Sequence, residues 1–109
     1  MTRARLLSHL RALELDLFQP GFRRWVATQP AAKREKFHTM RDEVVVRRAQ
    51  LESEQLAVTG GKLDELAAEL TKGFGEMEKL TAELKQFPRT ADTLGRVLGL
   101  VARVLTFRP

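Results

Sequence analysis

The sequence predicts an all-α protein: a long antiparallel helical hairpin with two shorter flanking helices, four-helix-bundle-like and joined by coiled-coil packing. Three observations carry that prediction. From Leu63 to Phe87 the apolar residues Leu63, Leu66, Leu70, Met77, Leu80, Leu84 and Phe87 recur at three-then-four spacing, broken once where Gly73 takes a seam position. Breaks bearing proline or glycine at Gln19-Pro20-Gly21, Gln29-Pro30, Thr59-Gly60-Gly61 and Phe87-Pro88 divide the chain into helix-length segments. The 109 residues are 43% apolar and 30% charged, which suits one folded domain and neither a disordered nor a membrane-spanning chain.

The first helix is expected over about residues 2–18. Leu6, Leu10, Leu13 and Leu17 form its apolar stripe, and Leu7, Leu15 and Phe18 widen it. Pro20 lacks the amide a continuing helix needs, so residues 20–30, which hold the only tryptophan, read as a connector. Pro30 suits a first helical turn, and a charged helix follows over about residues 31–58. Its heptad keeps Phe37, Met40, Val44, Leu51 and Val58, but Arg47 and Glu54 occupy intervening seam positions, so packing there must be wet or ion-paired. The consecutive Val44, Val45 and Val46 span about 200° of the helix circumference, which predicts contacts on two sides.

Gly60 is expected to close that helix in the left-handed conformation, and a third helix to run over about residues 62–87. Two helices of this length joined by so short a break should fold back into a hairpin about 40 Å long at 1.5 Å rise per residue. Phe87-Pro88 should end the third helix, with Thr90 capping a fourth over about residues 90–107. That helix is amphipathic, with Leu94, Val97, Leu98, Val101, Val104 and Leu105 on one face. Each internal glycine of Gly73-Phe74-Gly75 costs about 1 kcal/mol relative to alanine, so a kink or a close helix crossing should offset it.

Composition excludes several chemistries. Without cysteine there is no disulfide, thiolate nucleophile or cysteine-based metal site. His9 and His38 lie on different helices with no metal-ligand spacing, and the Asp and Glu pairs one or two residues apart do not share a helix face. Glu78 stands where a third glycine would complete a GxGxxG loop after Gly73 and Gly75. No catalytic, metal or cofactor residue is assigned, and no small-molecule substrate is inferred. The mixed N-terminus reads as a structural helix rather than a secretory signal, and a cytoplasmic location is expected.

Charge is uneven. Residues 1–36 carry eight Lys or Arg against three acids, residues 89–109 four against one, and residues 37–88 seven against ten. Basic ends and an acidic middle favour self-association or an acidic partner. The function expected is therefore a non-enzymatic interaction or scaffolding protein that forms a homo-oligomer, a dimer by preference, and binds a protein partner. Candidate self-association residues are Val44, Val45, Val46, Phe74, Leu98, Val101 and Leu105. The alternatives are nucleic-acid contact through Arg3, Arg5, Arg11, Arg23, Arg24, Trp25, Arg96 and Arg103, and attachment of the C-terminal helix to an anionic membrane surface.

Overall fold

Thr2 opens the first helix by accepting a hydrogen bond on Oγ1 from the Arg5 amide at 3.1 Å, a side-chain N-cap. The computed structural model describes residues 1–53 and 60–106. Five helices run in the order α1 (Arg3–Leu17), α2 (Pro20–Ala27), α3 (Ala31–Glu52), α4 (Gly60–Glu83) and α5 (Phe87–Thr106). The stripe Leu6, Leu10, Leu13 and Leu17 is buried as the period requires. Leu15 and Phe18 are not part of it: they are 66% and 39% exposed, because Leu15 lies nine residues from Leu6 and so about 180° around the helix.

The connector expected after Pro20 is instead the helix α2. Pro20 stands at its first position, where the missing amide would have had no intrahelical partner and the fixed φ already suits the helix. Its far end is closed by side chains: Thr28 Oγ1 donates to the Trp25 carbonyl at 2.6 Å, and Arg34 donates to the carbonyls of Ala27 and Gln29 at 3.3 and 3.0 Å. The helix buries Phe22 and Val26 and holds Trp25 half-buried.

Two further boundaries move. Gly60 opens α4 rather than closing α3, which ends at Glu52, and the expected seam residues Glu54 and Val58 lie outside the described residues, as does Phe107. At its other end α4 stops at Glu83, with Leu84 in the left-handed region at φ 56°. Phe87 therefore belongs to α5, not to the seam of α4. Thr90 is not a cap but lies one turn inside α5, its amide and hydroxyl donating to the Gln86 carbonyl at 2.9 and 2.8 Å.

The predicted hairpin of α3 and α4 is replaced by different pairings. Among the described residues α4 packs most extensively on α5 and α1 on α3, while α1 also meets α4 and α3 meets α5. Helices α3 and α4 share almost no contact and face each other across the core. Individual side-chain contacts give the directions. Glu76 lies near Arg89 and Thr93, and Arg3 reaches the Leu51 carbonyl, so α4/α5 and α1/α3 are antiparallel. His9 against Phe74 with the Met1 amine near Asp64, and Phe37 against Phe87, make α1/α4 and α3/α5 parallel. The molecule measures 42 × 23 × 20 Å.

Gly73 explains why α5 rather than α3 is the main neighbour of α4. A Cβ at Gly73 would lie 2.7 Å from Val97 Cγ2, so its hydrogen lets the two helices cross closely, whereas a Cβ at Gly75 would meet nothing within 4 Å. The buried face of α5, from Leu94 to Leu105, fills the seam of α4. Arg47 and Arg48 of α3 would fill it poorly. They lie at the edges instead: Arg48 spans Glu14 at 3.0 Å and Glu52 at 3.1 Å, and Arg47 sits 3.9 Å from Glu43.

Candidate functional site

Two surfaces stand out once the core is accounted for. The first is the end of the bundle closed by α2. There four rings form a closed cycle, with centroid separations of 5.7 Å from Phe22 to Trp25, 5.7 Å from Trp25 to Phe87, 5.7 Å from Phe87 to Phe37 and 5.4 Å from Phe37 to Phe22. These tilted and edge contacts suit the ring quadrupoles. They lock α2 onto the starts of α3 and α5, and they turn Trp25 toward other rings rather than toward solvent.

With its apolar residues turned inward, α2 presents Arg23 and Arg24 outward. They border an open cleft of about 460 Å³ together with His38 and Arg41 of α3, over buried Leu17, Val26 and Phe37. Among the described residues no acidic side chain lines it, and none lies within ion-pair distance of Arg23, Arg24 or Arg41. Arg41 stacks its guanidinium 4.6 Å over the Phe18 ring, and its Nε is shielded from solvent without a hydrogen-bond partner. Lys33 and Lys36 border the neighbouring groove beside Phe87 and Pro88. Across residues 20–41 six Lys or Arg face a single acid, Glu35.

The second surface is the outer side of α1 and α3. Leu15, Phe18 and Val46 are the large apolar residues left exposed among the described residues, at 66%, 39% and 52%. The Arg48–Glu14 pair and the Arg41–Phe18 stack set this stretch of α3 opposite residues 14–18 of α1, so the three lie at one level with half-buried Val45. Around them the outward positions Ala4, Ser8, Ala12 and Ala49 are small and uncharged, and the exposed Arg11 and Asp42 stand one turn from Leu15 and Val46. The outward side of α4 differs, carrying Glu65, Lys72, Lys79 and Glu83.

No known protein family, curated protein or solved structure matches the chain. The reading of function therefore rests on these surfaces alone.

The expected site residues sort unevenly onto them. Val44, Phe74, Leu98, Val101 and Leu105 are all buried in the protein's own core and have no surface to offer a second chain, leaving Val45 and Val46 of the expected self-association set. Within the valine triplet Val44 is buried, Val45 half-buried and Val46 52% exposed, on a helix that packs against both α1 and α5. Of the arginines, Arg3 donates to the Leu51 and Ser53 carbonyls at the end of α3, and Arg11 pairs with Glu52 at 3.0 Å, holding that carboxyl below its usual range. Arg5, Arg96 and Arg103 are exposed on other faces. Arg23 and Arg24 share the cleft beside α2, with Trp25 behind them, whereas the groove that Arg3 and Arg11 share also holds Glu52. His38 and Arg41 escaped the sequence reading because they come from a different helix, though they are i, i+3 neighbours of each other on α3.

The amphipathic α5 turns its apolar face into the core, so lying on lipid would require pulling it out of the fold. Among the described residues no helix is long and apolar enough to cross a membrane. A shallow groove of 370 Å³ between α1 and α4 holds His9, Asp16 and Glu78. His9 stacks flat on Phe74 at 4.8 Å. Burial, then Arg5, pushes its pKa down against a smaller opposing pull from Glu78, while burial and Glu78 push the Asp16 carboxyl up. Thr71 supplies the hydroxyl in the groove's lining, and Ser8 of α1 is not part of it.

Proposed function

We propose that the protein is a non-enzymatic interaction protein that pairs with a second copy of itself through the outer α1/α3 face. The observation that carries the reading is that Leu15, Phe18 and Val46, the large apolar residues exposed among the described residues, stand on the adjacent helices α1 and α3 at one level along the bundle. The surrounding Ala4, Ser8, Ala12 and Ala49 allow two helix pairs to approach closely. A standard interface needs about 800 Å² per partner, which is most of one 42 × 20 Å side of the molecule. A two-fold arrangement, in which one patch meets its own copy, is the commonest closed form for such a surface.

This keeps the self-associating reading of the sequence and moves it to other residues. Sedimentation equilibrium at high micromolar concentration tests it: the expected mass is twice the 12.4 kDa of the chain, returning to monomer in Leu15→Glu and Val46→Glu. Both positions are exposed, so these variants keep their helical circular dichroism. A 12.4 kDa wild type, or a dimer indifferent to both substitutions, would overturn the proposal.

A further inference from the structure

We infer that the α2 end of the bundle is a nucleic-acid phosphate site, in which Arg23, Arg24 and Arg41 around the open cleft hold the sugar-phosphate backbone. The first support is electrostatic. Six arginines elsewhere in the bundle are tied to the fold, Arg3 and Arg34 on helix-end carbonyls and Arg11, Arg47, Arg48 and Arg89 beside carboxylates, while the exposed Arg5, Arg96 and Arg103 stand apart from one another. The three at the cleft have no carboxylate partner, and His38 beside them adds further N–H capacity. Guanidinium groups present planar forks of donors that match phosphate oxygens two at a time.

The second support is geometric. The cations surround a concavity rather than standing singly on a convex face, and Lys33 and Lys36 stand at the next groove opposite the single acid Asp92. An end face 23 × 20 Å across spans about six base pairs of duplex at 3.4 Å per pair, more than a single small anion needs. The third support discriminates among polyanions. Docking on a bilayer uses apolar side chains that enter the interface beside the basic ones. On α2 those side chains are spent inside, since Phe22 and Val26 are buried and Trp25 is held by Phe22 and Phe87. With Trp25 held by its ring neighbours and the exposed Phe18 ring covered by the Arg41 guanidinium, the contact favours the backbone over stacking on bases.

Fluorescence anisotropy with a labelled mixed-sequence duplex of about 20 base pairs, titrated at several salt concentrations, tests the site. Three phosphate contacts give a log–log salt slope of roughly −2.7, and removing two reduces it by roughly 1.8. Arg23→Gln/Arg24→Gln should therefore weaken binding roughly tenfold at low salt, while Arg96→Gln/Arg103→Gln, which removes equal charge from α5, leaves the slope unchanged. Arg41→Gln is expected to lower the slope by roughly one more unit. Equal losses from both pairs would overturn the inference, as would failure of the wild type to bind the duplex at low salt. So would equal or tighter binding to polyglutamate or to phosphatidylserine vesicles. Melting curves of each variant confirm that the protein measured is folded.

Discussion

The two ends of the bundle both look basic in the sequence, yet they are held together in opposite ways. At the end where α1 begins and α3 finishes, cations are structural parts: Arg3 binds the last carbonyls of α3, Arg11 and Arg48 clasp Glu52, and Lys62 lies 3.3 Å from Glu65. At the α2 end the structural work is done by four aromatic rings, and Arg23, Arg24 and Arg41 carry none of it through ion pairs. Basic character alone therefore does not mark a binding surface. What marks one is unpaired positive charge gathered around a concavity.

Substitutions can break this contrast. The largest effect is expected at the ring cycle: Phe37→Ala, at a residue only 1% exposed, should cost about 3–5 kcal/mol in denaturant unfolding and loosen α2. Next comes Arg3→Ala, which strips charge-assisted hydrogen bonds from the end of α3 and should cost about 2 kcal/mol, less at high salt. Between the two ends, Gly73→Ala should destabilise by about 1 kcal/mol because its Cβ meets buried Val97, whereas Gly75→Ala should stabilise by up to about 1 kcal/mol. Adding Val97→Ala should abolish the penalty at Gly73, a coupling that a double-mutant cycle in urea measures.

The pH dependence is smaller and also separates charge from packing. Because the folded state lowers the pKa of His9, the unfolded chain takes up the proton first as pH falls below 6.5, so stability drops through the window between 6.5 and the lower folded value. His9→Phe should flatten that part of a melting-temperature profile. Asp16 acts in the opposite sense: its raised folded pKa favours the protonated form, so stability is lost as pH rises through that value, and Asp16→Asn should remove the loss. The smallest effect on stability is expected from Arg24→Ala, within about 0.5 kcal/mol, since nothing in the fold depends on it. A large loss there would remove the distinction between the ends.

Periodicity made much of the fold legible. The stripes Leu6-Leu10-Leu13-Leu17, Leu63-Leu66-Leu70 and Leu94-Val97-Leu98-Val101 are buried because a 3.6-residue repeat states which side of a helix is apolar. It does not state which other helix will cover that side, and here Gly73 and the charged Arg47 and Arg48 redirected α4 toward α5. Pro20 misled because one residue serves both to stop a helix and to start one; its role depends on which side the helix lies. The cleft was half visible in Arg23-Arg24, and invisible in its Arg41 half, since joining the two requires knowing how α2 folds onto α3.

The diagonal placement of α3 and α4 carries a consequence for how the chain reaches this arrangement. Neighbours in sequence that do not touch cannot zip together as a local hairpin, so α1 must close on α3 across separations of 34 and 48 residues, as in Glu14–Arg48 and Arg3–Leu51. Such non-local closure slows folding relative to an up-and-down bundle of the same size. During synthesis α1 leaves the ribosome first, and at about 5–20 residues per second its exposed leucine stripe waits several seconds before α4 arrives to cover it. That interval is when this protein is most open to aggregation and to chaperone capture.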